Sequence, residues 1–412
     1  MILPKQNIAF GCHFNRNRNM KPVKNTKKTR RISNEVAVAA IILSREHCKN
    51  IDYAHKILEG LTDGSELIEL ATRMLSLPML AKHLDEIKPH WYCVDETKER
   101  IRKFTLTALL LQSELLVFKK TVLDPLSIEY AFVKGAVLAQ QFFQRPNIRF
   151  ARDIDLLVSA NDLPCVVHSA MASGYCLLAD HRPNEILLSE RDIRAALRYQ
   201  KVITLLSPRG CYIEVHSEID KSQGIFDETE ILERSQKVWL HDRYIQTLHP
   251  VDHFIYVVYH TARHNWSRLH WQADLDAMIN SSLLKESELM ARAKKMGVEK
   301  LVAETIAYIH LSREPQNVKP GAPGTQIFST VMEILTHKHD ISKDFAEAQV
   351  SYAFPVPELL SRQLRARMRM KRVFRRVRPQ MADYESWPLP DKWQWIYWVS
   401  GPAARMFRKG IK

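Results

Sequence analysis

Apolar residues recur at helical spacing through the first third of the chain and then change rhythm. Residues 34–59 predict a helix, with Ala37, Ile41, Ile42 and Leu43 among its apolar positions and Ser33 and Asn34 available as caps. Residues 65–85 and 96–121 repeat the pattern, and in the latter Leu106, Leu109, Leu110, Leu116 and Val117 predict an apolar face. The period then shortens. Residues 128–133 predict a strand ending at Lys134-Gly135, followed by a helix over 136–143; Arg145-Pro146-Asn147 turns the chain, and 154–158 predicts a second strand. Asn161 and Asp162 can cap a helix that stops at Gly174. Residues 202–206 and 212–215 predict a hairpin joined by Ser207-Pro208-Arg209-Gly210, and helical spacing returns over 250–279 and 286–312.

The fold class expected is therefore α+β. A small mixed-sheet core at 123–225 would lie between a helical region at 34–122 and a helical domain at 226–350, with an arm at 1–33 and a tail at 351–412.

Composition narrows the function classes. Of 412 residues, 46% are hydrophobic and 26% charged, which excludes wholesale disorder. Glycine is scarce, at 12, and neither G-x-G-x-x-G nor G-x-x-x-x-G-K-[ST] occurs, so the common glycine-rich nucleotide cradles are excluded. Six cysteines form no C-x-x-C pair, which argues against a zinc ribbon or disulfide framework and for a reducing cytosol. The longest apolar runs, 36–43 and 254–259, fall short of the ~18–20 residues that span a bilayer. No signal-peptide pattern opens the chain, so a cytoplasmic protein, at most peripheral at the inner membrane face, is expected.

The net charge of +14 is unevenly placed. Residues 1–33 hold nine Lys/Arg and no acid, which predicts a disordered basic arm. Residues 360–412 hold fourteen Lys/Arg against three acids, leaving 37 basic and 43 acidic residues in between. An acidic middle disfavours a long nucleic-acid groove. In the tail, nine Lys/Arg between Arg362 and Arg378 precede Trp387, Trp393, Trp395 and Trp398. Cations attract anionic lipid and tryptophan prefers the headgroup level, so an anionic membrane surface is a candidate partner, against packing of the same aromatics on the protein body.

Chemistry concentrates in Arg152-Asp153-Ile154-Asp155-Leu156-Leu157-Val158. Alternate strand residues share a face, so Asp153 and Asp155 would project together with Ile154 and Leu156 in the core. Adjacent carboxylates repel unless a cation sits between them, and an all-oxygen pair suits Mg²⁺ (or Mn²⁺). Glu214, flanked by apolar residues in Tyr212-Ile213-Glu214-Val215-His216, is a candidate third acid. A strand followed by glycine and a helix offers free amides to phosphate. His253, His260 and His264 share a helical face. His260 and His264 lack the accompanying acid of a zinc motif; with Arg268, Trp271 and Asp274 they would pack the helical domain against the core or line an acceptor pocket, for which His216 is a further candidate, and Asp274 is expected to pair with Arg268.

The succession Phe132-Val133-Lys134-Gly135-Ala136-Val137-Leu138-Ala139, Arg149-x-x-x-Asp153-Ile154-Asp155-Leu156-Leu157-Val158, Gly174-Tyr175 and Ile213-Glu214-Val215-His216 resembles an uncharacterised bacterial nucleotidyltransferase family of the DNA polymerase beta superfamily. The likeness continues in His260-Thr-Ala-Arg263-His264-Asn-Trp266-Ser-Arg268-Leu-His-Trp271-Gln-Ala-Asp274-Leu. The resemblance implies metal-dependent transfer of NMP from an NTP, with ATP the first candidate, to an unknown acceptor, and a link to surface polysaccharide biosynthesis. It implies metal ligation by Asp153, Asp155 and Glu214, phosphate contact at Lys134 and Gly135, and Arg149 beside the acids or the phosphates. The third acid is more typically Asp in that family, and Ser217 stands where Trp is usual. The alternative is a non-catalytic scaffold or membrane-surface protein that retains the fold.

Overall fold

Ser33 accepts a hydrogen bond from the Val36 amide and starts α1 (Asn34–Leu43), so the expected cap is realised. The helix does not run to residue 59. Arg45 and Glu46 are buried just after it. Arg45 reaches Asp276 and Ser312, both at 2.5 Å, while Glu46 accepts the amides of Gln144 and Arg145 at 3.1 and 2.8 Å. Buried charges require such partners. The chain turns to supply them before α2 (Ile51–Glu59) begins. In this computed structural model the described residues are 32–179, 186–187, 189–219, 224–336 and 356–409; the predicted basic arm, but for Ile32 and Ser33, lies outside them.

The second predicted helix is likewise two, α3 (Ser65–Arg73) and α4 (Leu77–Ile87), separated at Leu75, whose φ is +60°. The third is α5 (Val94–Phe118), and here the predicted face is wrong. Phe104, Ala108, Leu111, Leu115 and Phe118 are buried, whereas Leu106, Leu109 and Val117 are 40–55% exposed. The buried set recurs at spacings of four and three, a complete helical stripe that the denser leucine run had masked.

The sheet follows. Its elements in chain order are β1 (Tyr130–Val133), α6 (Gly135–Phe142), β2 (Ile154–Val158), α7 (Leu163–Ala172), β3 (Cys176–Leu177), α8 (Glu190–Tyr199), β4 (Val202–Leu206), β5 (Tyr212–His216), α9 (Glu228–Glu233), β6 (Gln236–Leu240) and β7 (Arg243–Thr247). The spatial order is β3-β4-β5-β2-β1-β7-β6. β2 runs antiparallel to β1 and parallel to β5, and β4 and β5 form the predicted hairpin. The expected α+β class is thus observed. Strands β3, β6 and β7 and helix α8 had no predicted counterpart.

Alternation sends each strand's residues to two different cores. Phe132, Ile154, Leu156, Val158, Ile213 and Val215 pack with Leu111, Leu115 and Phe118 of α5 and Val166 and Val167 of α7. Ala131, Val133 and Leu157 point the other way. They join a larger core built from α1–α4 and from α10 (Pro250–Arg263), α11 (Leu269–Ile279), α12 (Glu286–Met296), α13 (Glu299–Leu311) and α14 (Thr325–Thr336). The helices predicted over 250–279 and 286–312 are each broken, at Asn265-Trp266 and at Gly297, where φ is positive. Finally come α15 (Arg362–Val377), α16 (Met381–Ser386) and α17 (Tyr397–Lys409). Leu364 and Met368 of α15 enter the larger core, and Met381, Tyr384 and Tyr397 pack on Ala195 of α8.

Candidate active site

The parallel register of β2 and β5 sets Asp155 directly beside Glu214. Both lie on the sheet face opposite Ile154, Leu156, Ile213 and Val215, as alternation predicts. His216, two residues beyond Glu214, shares that face. Its Nε2 lies 2.9 Å from Oδ1 of Asp155 and 3.8 Å from Oε2 of Glu214.

The other Asp155 oxygen faces Lys134, whose Nζ is 3.4 Å from Oδ2. Burial alone would raise the Asp155 pKa; Lys134 and His216 outweigh it and hold the carboxyl well below the usual range. Lys134 is shifted the opposite way, because Asp155, and then Tyr256 and Asp153, more than offset its burial. The carboxylate and the ammonium are therefore both charged at neutral pH.

Lys134 occupies the corner between β1 and α6 with φ +55° and ψ −147°, and Gly135 follows at φ +44°. A non-glycine residue rarely adopts such a backbone, and it persists where its surroundings impose it. The imposing contact comes from α10. His253 is fully buried, and its Nε2 accepts the Lys134 amide at 3.1 Å. One turn further along α10, Tyr256 places its ring 5.1 Å from Lys134 Nζ. Burial first, then Arg149 and Lys134, push the His253 pKa down to about 3, so the ring stays neutral and able to accept.

A shallow hollow is lined by Lys134, Gly135, Ala136, Val137, Asp153 and Asp155, with apolar Leu111, Leu115, Phe132, Val133 and Ile154 completing its wall. Asp153 lies on the bend before β2, at the rim of this hollow.

The chemistry of the donors fits a divalent cation. Asp155, Glu214 and His216 each offer one ligand atom, all within 4.8 Å of one another, the separation expected around an ion with ligands at about 2.0–2.6 Å. Two oxygens suit Mg²⁺, and an imidazole admits Mn²⁺ as well. The close set thus differs from the expected Asp153, Asp155 and Glu214: His216 stands in it, and Asp153 stands beside it. The signal for His216 was available in the E-x-H spacing, which obeys the same alternation as D-x-D. No sequence signal tied His253 or Tyr256 to the turn at Lys134.

The remaining candidates are further out. Arg149 is buried and gives Nε and Nη2 to the two oxygens of Asp274 at 3.0 and 2.8 Å. The ion pair expected between Asp274 and Arg268 is therefore made by Arg149, because Arg268 turns to the Arg73 carbonyl at the end of α3, at 2.7 Å. Burial, with Arg152 and Arg73 nearby, lowers the Arg268 pKa to about 10. His260 meets the Trp271 ring edge to face and His264 lies tilted against it, at centroid distances of 4.8 and 5.2 Å, and Arg263 donates to His264 Nε2 at 3.0 Å.

Carboxylates on neighbouring strands, beside a strand–turn–helix that presents free amides, are the makings of a nucleotidyltransferase site. The sequence model of an uncharacterised nucleotidyltransferase family matches residues 61–312, and the chain belongs to that family. The match runs from just before α3 to the end of α13, and so takes in the whole sheet and the helix that braces Lys134. No curated protein matches the chain.

Proposed function

We propose that the protein transfers a nucleoside monophosphate from an NTP, ATP in the first instance, to an acceptor hydroxyl, with release of pyrophosphate. The observation that carries this is the adjacency of Asp155 and Glu214 across β2 and β5, with the Lys134 ammonium held against Asp155 at the start of α6. Asp155 and Glu214, with His216 at their side, would hold Mg²⁺ or Mn²⁺. When bound, that cation supplies positive charge beside the α-phosphate and eases attack by the acceptor oxygen.

The chain's own residues do the rest. A phosphate chain entering the hollow offers Lys134 Nζ a second anion, and the flexible lysine turns from Asp155 toward it. Amides in the first turn of α6 point at the same place. Asp153, which lines the same hollow, would take the acceptor's proton. His253 and Tyr256 keep the Lys134 turn in shape, so the phosphate contacts are set before the nucleotide arrives.

The test uses purified protein, each labelled NTP in turn and Mg²⁺ or Mn²⁺. Asp153→Asn and Glu214→Gln should each lower NMP transfer about 10²-fold or more while leaving the far-UV circular dichroism and melting temperature near wild type. Undiminished turnover in both variants would refute the assignment.

A further inference from the structure

Helix α15 is built the wrong way round for a surface helix. It carries eight Lys/Arg and no acid, and its buried side is short: Leu364 and Met368. The opposite side is apolar. Met370, Val373, Phe374 and Val377 recur at i, i+3, i+4 and i+7 and are 42–69% exposed. At helical spacing these four fill an arc of about 100°, the width that normally faces a core. α17 extends the stripe: the Trp398 ring lies 6.1 Å from that of Phe374, and Val399 beside it is exposed.

Charge borders the stripe on both sides. Arg362, Arg369 and Arg376 follow one another at seven-residue steps along one edge, and all three are exposed. Arg367 and Arg378 run along the other edge. Among the described residues of α15 no carboxylate interrupts either row. A second copy of this chain would bring an identical arginine border against this one, an arrangement that repels in a two-fold contact. A partner that is apolar at depth and anionic at its surface complements both features.

We propose that α15 and α17 form a docking surface for an anionic phospholipid bilayer. α15 lies in the plane of the interface, its apolar stripe at the acyl boundary and its arginines among the headgroups. Trp398 sits at the headgroup level that tryptophan prefers. Each arginine near the membrane adds about 1 kcal/mol, close to a fivefold gain in partitioning. No helix of the described residues is long and apolar enough to cross a membrane, so the contact is peripheral.

The experiment is sedimentation of the full chain with phosphatidylcholine vesicles, with and without phosphatidylglycerol. Wild type should bind the anionic vesicles only. The double substitution Phe374→Ser/Val377→Ser should weaken that binding about tenfold, because it removes the inserted area. Arg369→Glu/Arg376→Glu should weaken it at least as much, through charge alone. Nucleotidyl transfer in solution should be unchanged in both, since neither pair touches the site; failure of this surface is thereby separable from failure of the proposed activity. Three results would overturn it: no binding by wild type, equal binding to uncharged vesicles, or full binding by the apolar double variant, which would place the attraction in the basic residues 1–33. A dimer dissolved by Phe374→Ser, without vesicle binding, would instead assign the stripe to self-association.

Discussion

At the scale of single residues, the site is governed by groups whose charge is fixed by where they are buried. Asp155 is ionised because Lys134 and His216 face it, and His253 is neutral because burial, with Arg149 and Lys134 nearby, opposes a proton on it. An unperturbed histidine titrates near 6.5, whereas His253 is held at about 3. Between those values the unfolded chain binds a proton that the folded chain refuses. The stability His253 contributes is therefore full above about 6.5 and is lost progressively as pH falls toward 3, at up to about 1.4 kcal/mol per pH unit. His253→Gln keeps an acceptor for the Lys134 amide and removes the titration. Urea unfolding at pH 7 and pH 5 should show a smaller acid loss in this variant than in wild type. The difference should shrink without vanishing, since burial also depresses His83 and His270. An identical acid loss in both proteins would show that His253 is not the titrating group. The carboxylates of this site were readable from D-x-D and from the lone acid in Tyr212-Ile213-Glu214-Val215-His216, because a strand's alternation is local. The bracing histidine was not, since its partner is a backbone amide 119 residues away.

At the scale of elements, the strands that carry the chemistry were legible and the helix breaks were not. β2 lies where the apolar run predicted it, and β5 gains only His216. By contrast, residues 44–50 and 74–76 keep good helical composition and leave the helix anyway. In the first case the cause is tertiary: Arg45 and Glu46 reach Asp276 and the amides of 144–145. The misread face of α5 has a related cause. Leucines cluster on both sides of that helix, and only the sheet decides which side is inside. Leu115→Ala should accordingly cost about 2–5 kcal/mol in urea unfolding, through lost burial and a cavity in the second core. Leu109→Ala, on the exposed side, should stay within about 0.5 kcal/mol. Equal losses would mean that α5 packs by the face its leucine density suggests. β6 and β7 were missed because the aromatic residues Trp239 and Tyr244 stand at solvent-facing positions, so apolar and polar residues do not alternate cleanly.

At the scale of the molecule, the sheet belongs to two cores at once, and the site lies on the face covered mostly by helices from outside the 123–225 segment. Residues 123–225 read as a compact α/β unit, but its elements cover the two faces unequally: α7, with α5 from just before it, packs on one face, while on the other α6 adds Leu138 and Phe142 to a core built mostly from outside the segment. The other face presents Ala131, Val133 and Leu157 to α1–α4 and α10–α14, which come from both ends of the chain. The same helices supply His253 and Tyr256 to the Lys134 turn. A fragment spanning 123–225 would thus expose an apolar sheet face, leave Lys134 without the contact that enforces its backbone, and lose the packing of α5. Such a fragment should bind a hydrophobic dye strongly and show no cooperative thermal transition, while a fragment spanning 32–409 should unfold in one step. A cooperative transition in the short fragment would show that the sheet is self-sufficient. The consequence for function is that site geometry and global stability cannot be separated on this face. Under the proposed activity, His253→Ala deep in α10 should lower nucleotidyl transfer as well as the melting temperature, because it frees the Lys134 turn.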